Sequence, residues 1–289
     1  MPKIPFFKMS GSGNDFIIID NREGVVAAEN IATFVRNVCC RRMSAGGDGL
    51  ILVEKSDAAD FKWQFFNSDG SLAEMCGNGA RCVARFAYVN GITGSDMSFE
   101  TDAGIVSATV SDRRVKISMP DPDNLTLSDG VELASGPLAF SSVNTGVPHV
   151  VIPVGDIDSA QVVEIGREIR YHQKFKPAGT NVNFISLRPD GVAAVRTYER
   201  GVEDETLACG TGAIACAVVL AAQFKKPSPI DVETKSGGTL RIYFKENNGH
   251  FFDIFLEGDA RIIYKGKLWE DAWNYGRHPF DGPKRIVTP

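Results

Sequence analysis

The chain states one phrase twice. Cys76-Gly77-Asn78-Gly79-Ala80 and Cys209-Gly210-Thr211-Gly212-Ala213 share the run Cys-Gly-x-Gly-Ala, and each leads into an apolar, alanine-rich stretch that reads as a helix. The copies lie 133 residues apart in a chain of 289, longer than a typical single core, so the repeat predicts two similar domains. It also constrains the chemistry. In both copies a glycine-rich turn enters a helix at the cysteine, which puts N–H groups without intrahelical acceptors, and the positive end of the helix dipole, beside the sulfur. A free thiol titrates near ~8.5 and a helix N-terminus can lower it into the roughly 3.5–7.5 range, so a useful fraction of thiolate is expected at neutral pH. Two such sulfurs suggest two proton carriers.

Composition narrows the partners. A net charge of -5, from 36 acidic and 31 basic residues without a basic block, argues against nucleic acid or an anionic membrane and leaves a small molecule as the expected ligand. No apolar run reaches the ~18–20 residues of a membrane span, and Met1-Pro2-Lys3-Ile4-Pro5 lacks the apolar core of a signal peptide, so a cytoplasmic location is expected. Six cysteines in a chain this long do not make a disulfide scaffold. Cys39, Cys40, Cys82 and Cys216 read as small buried hydrophobes; Cys76 and Cys209 stand apart by position and repetition. No Cys-x-x-Cys pair occurs and His149, His172, His250 and His278 are scattered, so no metal is expected. The glycine phrases lack the Lys-Ser/Thr ending of a phosphate loop and the full dinucleotide fingerprint, which leaves no recognisable cofactor motif.

Periodicity predicts strands at 15–20, 50–54, 61–66, 105–110, 114–119, 138–143, 150–154, 182–187, 192–198, 230–234, 240–245, 251–256 and 260–264. Helices are expected at 31–42, after Cys76 to about 89, at 160–170 and at 210–223, and the Pro- and Asp-rich run 119–124 reads as a linker. Strands outnumber helices without regular alternation, which favours an α+β fold of curled, mixed β-sheets, each wrapped barrel-like on a central helix. The polar edges 11–16 and 179–184, together with the strand ends at Asn67 and Glu199-Arg200, are expected to line one cleft between the domains.

The runs FKMSGSGNDF, NSDGSLAEMCGNGARC, PHVV, TNVNF and ERGVEDETLACGTGA, in that order over nearly the whole chain, resemble the motif series of the diaminopimelate epimerase family. The resemblance implies a cofactor-independent isomerase that interconverts LL- and meso-diaminopimelate for lysine and peptidoglycan precursors, acting as a homodimer of two-domain subunits. The expected division is 1–120 with Cys76, rejoined by 270–289, and 121–269 with Cys209. Carried over by motif, Cys76 and Cys209 are the acid/base pair. Asn14, His149 and Glu199 shape the reacting end; Asn67, Asn183 and Arg200 hold the distal amino acid group. The amides of Gly77, Asn78, Gly210 and Thr211 receive the carboxylate at the reacting centre. Two departures stand out: Gly146-Val147-Pro148-His149 carries Val where the family usually has Asn, and the loop from Arg200 to Cys209 holds one extra residue.

The chemistry agrees with the resemblance. Inverting an α-carbon removes a proton from one face and returns one to the other, a task for two opposed groups, with amides and helix dipoles stabilising the carbanion in a dry site. Two other readings use the same residues. A proline or hydroxyproline racemase would employ both thiols but leave the distal polar set unused, and a thiol redox protein or a non-catalytic amino acid binder would need no carbon chemistry.

Overall fold

A computed structural model describes residues 3–27, 29–188 and 190–276. Its elements run β1 (Ile4–Gly11), β2 (Asn14–Asp20), α1 (Ile31–Cys39), β3 (Gly49–Glu54), β4 (Phe61–Asn67), α2 (Gly77–Val89), β5 (Asp96–Thr101), β6 (Gly104–Ser111), β7 (Arg114–Ser118) and β8 (Asp123–Leu133). They continue with β9 (Gly136–Asn144), β10 (Pro148–Pro153), α3 (Val162–Tyr171), β11 (Asn181–Leu187), β12 (Ala193–Glu199), β13 (Asp204–Thr206), α4 (Gly210–Phe224), β14 (Ile230–Thr234), β15 (Thr239–Asn247), β16 (His250–Asp259) and β17 (Arg261–Leu268). Every helix and strand expected from the sequence is present. The strands β1, β5, β8 and β13 are additional, and the stretch read as a linker is irregular only through 122 before it enters β8.

One order of strand pairing occurs twice. From β1 to β7 the ladders run antiparallel, parallel (β2 with β3), antiparallel, parallel (β4 with β5), antiparallel and antiparallel. From β9 to β16, passing over β13, the sequence of ladders is the same, with β10 parallel to β11 and β12 parallel to β14. An antiparallel β7–β16 ladder joins the two series into one sheet, β17 pairs on β1, and β8 pairs on β9.

Each parallel step carries a helical crossover, as parallel pairing requires. That puts α1 and α3 on one face of the sheet and α2 and α4 on the other. The strands between them are buried on both faces and so read as unbroken apolar runs. In β3, Ile51 and Val53 join the core around α2 while Leu50 and Leu52 join the core beneath α1. In β11, Ile185 faces the α4 side whereas Val182 and Phe184 pack beneath α3. Each such side chain contributes roughly 1.5–3 kcal/mol on burial. Helix α4 is buried from Gly212 to Ala221 without a polar stripe, the pattern of a core helix. The described end of the chain returns to the first series: Trp273 packs on Phe34 of α1, with ring centroids 5.5 Å apart, and Tyr275 Oη donates to the Asn37 carbonyl at 2.9 Å. The remainder of the 270–289 segment, His278 included, lies outside the described residues.

Candidate active site

Cys76 and Cys209 are the N-cap residues of α2 and α4, both extended, with φ of -147° and -114°. The first intrahelical bonds are Ala80 N to Cys76 O and Ala213 N to Cys209 O, so the amides of Gly77, Asn78, Gly210 and Thr211 precede the helical ladder and have no intrahelical acceptor. Both cysteines and all four of these residues line one cavity of about 870 Å³. Asn14, Asn67, Glu199 and Arg200 line it as well, together with Ser12, Asp48, Val147 and Asn181.

Asn14 is aimed by an ionic cluster. Its Nδ2 donates to Asp48 Oδ2 at 2.6 Å, and Asp48 in turn accepts from Arg41 at 2.9 Å. This turns Asn14 Oδ1 to the sulfur of Cys76, whose thiol donates to it at 3.7 Å. Arg200 donates through Nη1 to Ala178 O at 3.1 Å, and its backbone N–H is held by Asn181 Oδ1 at 2.8 Å. Asn67 Nδ2 donates to Ser71 Oγ at 3.0 Å.

Two expected residues lie elsewhere. Asn183, expected to hold the distal group, is fully buried and absent from the cavity lining, whereas Asn181, two residues earlier on the same strand, lines it. His149 is also buried, at 1% exposure, and touches the cavity only through Thr211, whose Oγ1 lies 2.9 Å from His149 Nε2. Burial depresses His149 to about 3, with Arg200 adding to the effect, so the ring is neutral at physiological pH. Asn181 belongs to the polar edge 179–184 that was expected at the cleft, though it was not singled out there, and Asp48 was not expected. The sequence signal for Asn181 was available: it stands where strand β11 leaves the polar edge, as Asn67 stands at the end of β4.

Thiol acidity also departs from expectation. Burial pushes the Cys209 thiol up to about 12, with the Glu199 carboxylate adding to the rise and the Thr211 hydroxyl and Gly212 N–H opposing it. Burial likewise raises Cys76, against the N–H groups of Gly79 and Asn78 and the Arg81 charge, while Glu199 again adds to the rise. The helix-terminal N–H groups act as expected, but the hydration lost on burial outweighs them. Burial also raises the Glu199 carboxyl itself. Cys39, Cys40, Cys82 and Cys216 are buried thiols away from the cavity lining, as expected of core residues. Among the described residues no three His, Cys, Asp or Glu side chains gather as a metal site would need, and no helix is long and apolar enough to cross a membrane.

A sheet curled on helices, with two N-cap cysteines opening on one cavity, defines a fold that solved structures share. A Bacillus anthracis phenazine biosynthesis protein of the PhzF family has this fold, with a TM-score of 0.73 at 17% identity over 93% of this chain and 100% of that one. So does an Agrobacterium vitis hydroxyproline epimerase with bound trans-4-hydroxy-L-proline, with a TM-score of 0.68 at 17% identity over 93% of each chain. At such identities the likeness concerns the fold alone. Sequence decides the family: residues 6–124 and 141–263 match the diaminopimelate epimerase family model, and the diaminopimelate epimerase of Aquifex aeolicus (strain VF5) is 46% identical over 93% of this chain and 99% of its own. The chain belongs to the diaminopimelate epimerase family and is an isomerase.

Proposed function

We propose that the chain interconverts LL- and meso-diaminopimelate without a cofactor, using Cys76 and Cys209 as opposed proton carriers. The observation that carries this reading is that both sulfurs line one cavity, each at the entrance of a helix. One sulfur, as thiolate, takes the α-proton and becomes a thiol. The other, as thiol, releases its proton to the opposite face and becomes the thiolate. The amides of Gly77, Asn78, Gly210 and Thr211 receive the carboxylate as it gains charge. Asn14 and Glu199 shape the reacting end; Arg200, Asn67 and Asn181 hold the distal amino acid group.

Burial is the main cause that raises both thiols and the Glu199 carboxylate adds to it, so a substrate ammonium seated beside Glu199 offsets that added part and favours the thiolate in the bound state. The repeated ladder order supports two similar domains, 1–120 and 121–269, with the cavity between them and β17 lending its edge to the first. A cytoplasmic homodimer belongs to the same proposal, supported by six unpaired thiols and by exposed Ile263 and Tyr264 on β17; sedimentation measures the dimer.

The proline-racemase reading has fold likeness in its favour, but those substrates carry no second amino acid group for Arg200 and Asn67 to bind. Incubation with LL-diaminopimelate in heavy water separates the possibilities. Deuterium at the α-carbon with appearance of the meso isomer is expected. Exchange into proline but not diaminopimelate would establish the racemase reading, and ligand binding without exchange would establish the non-catalytic one.

A further inference from the structure

The register of the two ladder series makes Phe16 the counterpart of His149, since they pair with Gly49 and Asn181 respectively. Two residues along, Ile51 with Phe65 corresponds to Asn183 with Thr197. The first trio is apolar and the second polar, yet all three members of the second are buried, at 1%, 0% and 3% exposure. Both trios stand behind a helix entrance. A side chain at Gly79 would meet Ile51, and one at Gly212 would meet Asn183. Buried polar groups are costly unless fully paired.

These are paired in a fixed direction. Asn183 Nδ2 donates to the Val150 carbonyl at 2.9 Å, and Thr197 Oγ1 donates to Asn183 Oδ1 at 2.9 Å. Those two contacts orient the amide, so its second N–H faces His149 Nδ1, 3.1 Å away, and that nitrogen must accept. A neutral imidazole that accepts at Nδ1 carries its proton on Nε2. Nε2 therefore donates to Thr211 Oγ1 at 2.9 Å, and the hydroxyl's own proton is left for Cys209 Sγ at 3.4 Å, beside the Gly212 N–H at 3.4 Å.

We propose that Asn183 and Thr197 are positioning residues which lock the tautomer of His149 and thereby commit the Thr211 hydroxyl proton to the sulfur of Cys209. When Cys209 releases its proton to carbon, the electrons of the S–H bond stay on sulfur, and two donors already aimed at it meet the new charge. No proton passes along the chain of side chains. The charged groups facing this set are Glu199, which opposes negative charge on Cys209, and Arg200, which opposes protonation of His149. The neighbouring thiol of Cys76 also raises Cys209. The inference deepens the two-thiol reading and rests on it for its catalytic meaning, but its first measurement needs no substrate.

The test begins with ¹⁵N spectra of the histidines in the free wild-type enzyme, with His149 assigned by its loss in His149→Gln. A protonated Nε2 and unprotonated Nδ1 from pH 5 to 9 is the expected result, and the opposite tautomer overturns the proposal whether or not the protein turns over diaminopimelate. Asn183→Leu, which keeps the shape, and Thr197→Val, which removes one donor, should mix the tautomers. Both should move the pH profile of Cys209 alkylation upward and leave that of Cys76 in place. A hydrogen bond to a charged group is worth about 1.5–3 kcal/mol, so Cys209 should alkylate roughly tenfold or more slowly at pH 8 in Asn183→Leu, with kcat reduced more than KM. A folded Asn183→Leu or Thr197→Val with wild-type Cys209 reactivity overturns it. Should Asn183→Leu fail to fold, the wild-type spectrum and Thr197→Val decide.

Discussion

Five residues after each repeated cysteine the two copies part company, with Arg81 in α2 and Ile214 in α4, both fully buried. Arg81 turns back on its own helix entrance, donating to Gly77 O, to Asn78 Oδ1 at 2.9 Å and to Ser12 Oγ at 2.8 Å. A side chain at Gly258 would come within 2.8 Å of its Nε, so β16 leaves the guanidinium its space. The α2 entrance is thus backed by a charge and an apolar trio, whereas the α4 entrance is backed by an apolar helix and the His149–Asn183–Thr197 set. Duplicated strands and helices place two sulfurs equivalently; what lies behind each entrance makes them chemically unlike. That difference suits a substrate pair whose two isomers present the reacting carbon from opposite faces.

The largest effect should come from removing either sulfur, which asks whether unlike ends are nevertheless equally required. General acid–base groups contribute about 10²–10⁴-fold, so Cys76→Ala and Cys209→Ala should each lower epimerisation at least that far. If one variant keeps more than a tenth of wild-type turnover, the ends are not partners and a one-base mechanism replaces the pair.

Arg200→Lys comes next, because no residue of the first series supplies an equivalent fork. Loss of a charge-assisted bidentate contact costs on the order of 2–5 kcal/mol, or roughly 30- to 5000-fold in kcat/KM. Alkylation of both thiols in the free enzyme should be unchanged. A loss of threefold or less would remove Arg200 as the distal clamp.

The polar backing of α4 should also make itself felt in acid. His149 stands near 6.5 when unfolded and is depressed to about 3 in the fold, so the native state binds fewer protons between those values. Its contribution to stability is therefore complete above about pH 6.5 and is lost as pH falls toward 3, by a few kcal/mol (~1.4 kcal/mol per pH unit). Urea midpoints should drop over that window in wild type and less steeply in His149→Gln. Phe16 at the corresponding position of the first series cannot titrate, so equal slopes in the two proteins would assign the acid sensitivity to other groups.

How far these contrasts could be read in the sequence depends on the kind of signal. The doubled phrase disclosed the two helix entrances, and the apolar runs disclosed the strands that are buried on both faces, such as β2, β3 and β11. Strand β8 is an edge strand that buries little beyond Val131 and Leu133, and its two short alternations, Leu125-Thr126-Leu127 and Val131-Glu132-Leu133, are split by the polar run Ser128-Asp129-Gly130, so no single periodic run marks it. Asn181 and Asn183 were not separable: residues two apart share a strand face, and only the position of the cavity, roughly 7 Å along the strand, sets one at its lining and the other against His149. Thiol acidity was misread for a related reason. A sequence shows that a cysteine caps a helix but not how much water its sulfur has lost.

A glycine at the same point of each entrance gives a gentler test of the contrast. A Cβ at Gly212 would lie 2.3 Å from Asn183 Oδ1, whereas at Gly79 its nearest neighbour is Ile51 Cδ1 at 3.3 Å. Gly212→Ala should therefore displace the Asn183 amide and destabilise the protein by about 1–3 kcal/mol, as overpacking does. Gly79→Ala should cost less, since an Ile methyl can yield by a few tenths of an ångström. Thermal unfolding of the two variants compares them directly, and equal losses would mean that the α4 entrance is no more tightly fitted than its counterpart.

The smallest effect concerns Val147, which lines the cavity where the family usually offers an amide. Valine offers the cavity no polar side-chain atom, so on the proposed assignment distal recognition rests on Arg200, Asn67 and Asn181. Val147→Asn introduces one donor and one acceptor of nearly equal volume at the cavity wall. A net neutral hydrogen bond is worth about 0.5–1.5 kcal/mol, which predicts a KM for diaminopimelate lower by roughly two- to tenfold. The gain should appear in KM with kcat nearly constant, because a contact remote from the reacting carbon is made equally in the ground and transition states. Combining Val147→Asn with Arg200→Lys sharpens the assignment: if both side chains address one distal group, the new amide should recover part of the affinity that the lysine loses. Full additivity of the two changes, measured as a double-mutant cycle in kcat/KM, would place Val147 and Arg200 on different parts of the ligand.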